Sequence, residues 1–144
     1  LSEELNHLIL FLKQQYDSSD QPRRLLHGRG GCFKEFNYLN IDVFDDLIVV
    51  MLHESRSQEW GEQLAEEIIG ERIKGVIVQD RSVRPSKQIC YGQVPEQKEI
   101  HGEGVIYALN PMQIKNPGWF LDMRVGREWV SKHAKDKKVL NLFA

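Results

Sequence analysis

The side chains best equipped for chemistry stand where an apolar run ends. In "VIVQDRSVR" the residues Val76, Ile77 and Val78 lead into Asp80, Arg81 and Arg84. A buried strand that delivers polar groups at its end is where many folds place working residues. Arginine suits forked phosphate contact or stacking on a base. The competing reading is an Asp–Arg surface pair of little energy, and residue type alone leaves both open. "HGRGG" has glycines that let backbone N–H groups approach an anion, with Arg29 adding charge. It lacks the lysine and hydroxyl of a P-loop and the spacing of a dinucleotide loop. A solvated glycine-rich turn is the plainer alternative. "NPGWFLDMRVGREW" sets a tight turn at Gly118, an apolar or stacking wall of Trp119 and Phe120, and Asp122 and Arg124 on a first helical turn. Spacing alone favours a capped amphipathic helix there.

Other chemistries find no support. His7, His27, His53, His101 and His133 include no pair at the one-turn spacing that presents two ligands to a metal, so no metal is expected. There is no G-x-S-x-G elbow, and Cys32 and Cys90 lack C-x-x-C spacing or an activating context. Most acidic residues fall on the exposed sides of helices. A formal net charge of −2 gives no overall basic field, so a polyanion would need a local patch. A hydrophobic fraction of 41% with 28% charged residues is globular composition. Apolar runs fall short of a membrane span, and "LSEELNHLILFLKQQ" lacks the features of a signal peptide. A soluble, cytoplasmic protein with two free thiols and no membrane partner is the expectation.

Periodicity supplies the elements that position these groups. Leu1, Leu5, Leu8, Ile9 and Leu12 recur at helical spacing, and "DSSDQP" ends that helix. "RRLLHGRGGCF" reads as a glycine- and arginine-rich connection. In "YLNIDVF" the period becomes two: Leu39, Ile41 and Val43 face one way, Asn40 and Asp42 the other. Asp45 and Asp46 form a hairpin turn into "LIVVMLH". Ser57 caps a helix over "QEWGEQLAEEIIG", and "KGVIVQDR" is the strand that follows it. "KQICYG" and "VIYALN" are weaker strands flanking the polar "QVPEQKEIHGEG". A helix then runs to the basic residues before "VLNLFA", which reads as a short buried strand. The class is α+β: a strand-strand-helix-strand-strand unit with an N-terminal helix, then one further helix and strand. The natural divisions are 1–35, 36–114 and 115–144.

"PGWFLDMR…KKVLNLFA" resembles a junction in bacterial class I S-adenosylmethionine-dependent methyltransferases, above all those of large-subunit ribosomal RNA. Their pattern runs roughly Thr-Gly-Phe-Phe-Leu-Asp-Gln-Arg, a helix, then Val-Leu-Asn-Leu-Phe-Ser-Tyr-Thr-Gly. The resemblance is strongest from Asn116 onward and extends by element order over about the last 105 residues. It implies that 36–114 is a substrate-handling α+β domain. Residues 115–144 would then begin a Rossmann-like catalytic domain, cut after its first strand. By the same resemblance Phe120, Asp122 and Arg124 border the S-adenosylmethionine pocket, and Asn141, Phe143 and Ala144 lead into the cofactor loop. Catalytic groups are expected beyond Ala144. Arg29, Arg81 and Arg84 are the candidate contacts to ribosomal RNA. Methyl transfer to a base requires in-line approach, and a paired base would be flipped out. Pro117, Trp119 and Met123 depart from the family pattern. The fragment alone is expected to be inactive, and residues 138–144 offer an apolar edge for a homodimer. A non-catalytic α+β module binding RNA or protein is the alternative.

Overall fold

The computed structural model describes residues 1–15, 21–114 and 118–142. Helix α1 spans Glu3–Gln15 and α2 spans Gln58–Ile68. Each starts on a serine whose hydroxyl accepts a backbone N–H of the first turn: Ser2 from Leu5 and Ser57 from Trp60, both at 3.2 Å. The apolar stripes of both helices, Leu5, Leu8, Ile9 and Leu12 with Trp60, Leu64, Ala65 and Ile68, are buried in one core. That core covers one face of a five-stranded sheet.

The sheet runs β1 (Arg23–His27), β2 (Leu39–Phe44), β3 (Leu47–Leu52), β4 (Gly75–Asp80) and β5 (Lys87–Gly92), each strand beside the next. Only β3 and β4 are parallel, because α2 carries the chain back across the sheet between them. The expected hairpin is present, with Phe44 opposite Leu47 and Asp45 at φ 60° in the turn. Strand alternation sends Leu39, Ile41, Val43, Ile48, Val50, Leu52, Val76 and Val78 into the helix-side core.

The opposite face is divided. Its apolar half, Phe44, Leu47, Val49, Met51 and Ile77, is covered by Ile100, Leu109 and Trp119. Ile100 and Leu109 belong to a separate hairpin, β6 (Lys98–Gly102) with β7 (Val105–Leu109). Lys98 ties this hairpin to the β2–β3 turn through Asp46 at 2.6 Å and Asp45 at 3.3 Å. Gly102 is required by close approach, since a Cβ there would stand 2.5 Å from the Trp119 ring.

A short 3₁₀ turn, Leu121–Met123, leads into α3 (Arg124–His133). Arg127 holds α3 to the hairpin. Its guanidinium donates to both Glu103 oxygens at 2.8 and 2.9 Å and to the Phe120 carbonyl at 2.6 Å, and lies over the Trp119 ring. None of α3's side chains is buried, and Val125, Trp129 and Val130 face outward.

Three expectations need correction. The segment read as a connection contains β1, an edge strand whose apolar residues are adjacent rather than alternating. Arg24 pairs with Asp42 and Leu26 with Ile41, so a bulge at Leu25 puts both leucines into the same core. The polar stretch "QVPEQKEIHGEG" contains β6, which buries only Ile100 and Gly102. Residues 139–142 form no strand: Val139, Leu140 and Leu142 are exposed, and no described strand lies beside them to complete a ladder. Phe143 and Ala144 lie outside the described residues.

Candidate functional site

The uncovered half of the second sheet face is polar and recessed. Asn40 and Asp42 on β2 and Gln79 on β4 are the buried polar side chains of the described residues, and all three project from this face. Burying polar groups costs free energy unless they are partnered, and their partners build the site. Asp42 accepts from Arg24 on β1 through two bonds, Nε to Oδ1 at 2.7 Å and Nη2 to Oδ2 at 3.1 Å. Gln79 donates to Gln88 Oε1 at 3.0 Å and accepts from Arg81 Nη2 at 2.8 Å. The same Arg81 nitrogen donates to the Ile114 carbonyl at 2.8 Å. Asn40 Nδ2 lies 3.2 Å from His53 Nε2, with the amide donating to a neutral imidazole.

Arg24, Asp42, Gln79 and Arg81 line a cleft of about 100 Å³ together with Phe120 and Asp122. Two donors of its lining residues are buried without a protein partner, Arg81 Nε and Trp119 Nε1. Burial pushes the Asp42 carboxyl above its ordinary range despite help from Arg24. The hydrogen bond to Asp42 raises Arg24, whereas burial lowers Arg81. His53 is lowered by burial first and then by the positive charges of Arg29, Arg81, Arg24 and His27. Cationic side chains therefore gather around His53, on a chain whose net charge is −2.

The expected residues distribute unevenly over this geometry. Arg81 lies in the cleft wall with Phe120 and Asp122. Arg29 sits in an exposed 3₁₀ turn, Gly28–Gly30, close enough to act on His53. Arg84 is exposed in the loop after β4. Arg124 turns away and pairs with Glu128 at 3.0 Å. Asn141 lines a separate groove along α3 with Met123, Gly126, Trp129 and Leu140. Glycine in "HGRGG" has a packing reason: a Cβ on buried Gly28 would collide with the Phe36 and Leu39 carbonyls at 1.7 and 2.5 Å. Sequence reasoning missed Arg24, Asn40, Asp42, His53 and Gln79 as site residues. For Asn40, Asp42 and Gln79 the signal was a polar residue inside an otherwise apolar strand, "LNIDVF" or "VIVQD".

No nucleophile–base pair among the described residues lines this cleft. Among the described residues no group of three His, Cys, Asp or Glu side chains could hold a metal ion. No described helix is long and apolar enough to cross a membrane.

The S-adenosylmethionine-dependent methyltransferase family model matches residues 23–144, and the chain belongs to that family. It is 28% identical over 113 residues to the ribosomal RNA large subunit methyltransferase I of Pseudoalteromonas atlantica. It is 27% identical over 116 residues to the protein of that name from Shewanella denitrificans. Each alignment takes in 73% of this chain, and the chain spans 29% of the length of these curated relatives. A solved chain described as a SAM-dependent methyltransferase from Streptococcus mutans superposes with a TM-score of 0.64 at 23% identity, over 90% of this chain and 36% of that one. A second solved methyltransferase, a complex with SAH, matches to the same degree. At that identity the likeness concerns the fold.

Proposed function

We propose that this chain is the substrate-handling part of an S-adenosylmethionine-dependent methyltransferase acting on a base of ribosomal RNA. The observation that carries the reading is the family match, which runs through both the polar sheet face and the Phe120–Asp122–Arg124 element. The names of the two curated relatives support RNA as the substrate class. In this reading 1–35 is an N-terminal helix and a glycine- and arginine-rich connection, 36–114 handles substrate and 115–144 opens the catalytic portion.

Phe120, Asp122, Arg124, Asn141, Phe143 and Ala144 are the residues assigned to the cofactor border. Phe120 is 52% exposed, and Asp122 carries no ion pair among the described residues. An apolar ring and a free carboxylate suit the adenine and the ammonium group of the cofactor. S-adenosylmethionine, when bound, supplies an electrophilic methyl group. The residues of this chain orient: Arg127 fixes the Phe120 carbonyl, and the cleft beside Asp122 holds substrate. Arg29, Arg81 and Arg84 contribute positive charge toward RNA phosphates. The 144 residues alone are proposed to transfer no methyl group, and residues 138–144 to favour self-association. Monomeric sedimentation at high concentration contradicts that last point.

The test of the activity uses tritiated S-adenosylmethionine, the complete protein containing this chain, and large-subunit ribosomal RNA from cells lacking it. Ribonuclease-sensitive label is the expected result. Label confined to protein, or none, overturns the reading.

A further inference from the structure

The tip of the β6–β7 hairpin carries a residue that its backbone does not favour. Glu103 and Gly104 form the two-residue turn between Gly102 and Val105, at φ 57° and 75°. Both central positions of such a turn need positive φ, which Gly, Asn and Asp adopt at less cost than glutamate. A longer side chain held there costs free energy that its contacts must offset. Those of Glu103 all run to one place. Its Oε1 accepts from Arg127 Nη2 at 2.8 Å, and its Oε2 from Arg127 Nε at 2.9 Å and the Tyr107 hydroxyl at 3.3 Å. The side chain is 10% exposed, although it sits at a hairpin tip. Arg127 passes the connection on. Its remaining nitrogen, Nη1, donates to the Phe120 carbonyl at 2.6 Å. Met123 N–H donates to that same oxygen at 3.3 Å, closing the turn that holds Asp122. The guanidinium lies 5.1 Å from the Trp119 ring centre, and Trp119 stacks on Tyr107 at 4.4 Å.

We infer that Glu103 and Arg127 are positioning residues for the methyl donor. Through them the hairpin tip sets where Phe120 and Asp122 stand. This rests on the assignment of those two residues to the cofactor border and adds what holds them in place. Packing alone does not hold them. Trp119 is the one buried residue of 119–123, Leu121 is half-buried, and Phe120 and Met123 are 52% and 54% exposed. A ligand site needs its contact groups fixed to within a fraction of an ångström, and here that falls to hydrogen bonds rather than to a core. The fork matters as much as the charge. Lysine at position 127 keeps the charge but cannot span both Glu103 oxygens and the Phe120 carbonyl at once. Neither Glu103 nor Arg127 lines the cleft beside Asp122, so each acts through the turn.

The test uses the complete protein containing this chain. It measures binding of S-adenosylhomocysteine by titration calorimetry, well below the melting temperature of each variant. Arg127→Lys and Glu103→Ala are each expected to weaken binding about tenfold. The double variant is expected to lose no more than either alone, because both break one connection. Glu103→Gln keeps the shape and one acceptor and is expected to lose less; it is the second variant should Glu103→Ala fail to fold. Ser57→Ala removes a helix cap on the other side of the sheet and is expected to leave binding unchanged, although it lowers stability. If the native protein binds and Arg127→Lys and Glu103→Ala bind equally well, the positioning role is overturned while the cofactor border stands. Losses that add in the double variant, or an equal loss in Ser57→Ala, overturn it as well. If the native protein binds no S-adenosylhomocysteine, the border assignment falls and the positioning role with it, and the methyl-transfer assay decides the broader reading by itself.

Discussion

At the scale of residues, the site depends on charges placed where solvent helps them little. Asp42 is 7% exposed and bonded by both oxygens to Arg24. Truncating it leaves a guanidinium facing a polar hole. Asp42→Ala is expected to cost about 1–3 kcal/mol in urea denaturation, below the usual value for breaking a fully buried pair because Arg24 remains partly exposed. Asp42→Asn is expected to cost less, since a neutral amide still accepts a hydrogen bond and is cheaper to bury. Glu103 gives a prediction in pH. The hydrogen bond from Arg127 holds its carboxyl below the ordinary range. A folded-state pKa below the unfolded one stabilises above the unfolded value and loses that contribution as pH falls through the folded value. The stability difference between the native chain and Glu103→Gln is therefore expected to be largest near neutrality and to shrink on acidification through the carboxylate range. A difference that grows toward acid contradicts the assignment. Asp42 and Gln79 were visible in the sequence as polar residues in apolar strands, but not as buried ones. Their burial comes from the second layer laid over the same face, which strand alternation cannot report.

At the scale of elements, what could be read from sequence followed how cleanly each element keeps its period. The two serine-capped helices and the β2–β3 hairpin have strict spacing and were legible. Ser57→Ala is expected to lower stability by about 1 kcal/mol, because Trp60 N–H loses its cap acceptor. Strand β1 was hidden by its bulge, which sets Leu25 and Leu26 side by side in the core. Strand β6 was hidden because a two-stranded hairpin with one covered face needs few apolar residues. "VLNLFA" misled in the opposite direction: its composition is that of a central strand, yet a strand is defined by its neighbours. Gly28 carries the sharpest prediction at this scale. Two carbonyls stand within 2.5 Å of where a Cβ would lie, and both are backbone. Gly28→Ala is expected to destabilise by about 2 kcal/mol or more. Gly70→Ala, where a Cβ meets nothing within 4 Å, is expected to change little. Equal midpoints for the two variants contradict the packing argument.

For the whole molecule, the sheet divides labour between its faces. One face is sealed by α1 and α2 and supplies stability. The other is half sealed by the β6–β7 hairpin and leaves a polar half open beside the turn that leads to α3. Arg127, Glu103 and Trp119 lock that turn to the hairpin, so the aromatic-acidic element and the sheet cleft keep a fixed relation. The family resemblance in the sequence located one side of this arrangement, Phe120 and Asp122. The other side is formed by strands far apart in the chain, and only the sheet order β1-β2-β3-β4 brings Arg24, Asp42, Gln79 and Arg81 together. Amide chemical-shift mapping of the chain with a fragment of large-subunit ribosomal RNA addresses the central claim most directly. The account predicts perturbations at residues 24–29, 40–42, 79–84 and 118–122, with the exposed sides of α1 and α2 unchanged. Shifts confined to the helical side of the sheet, or to the residues after α3, contradict it.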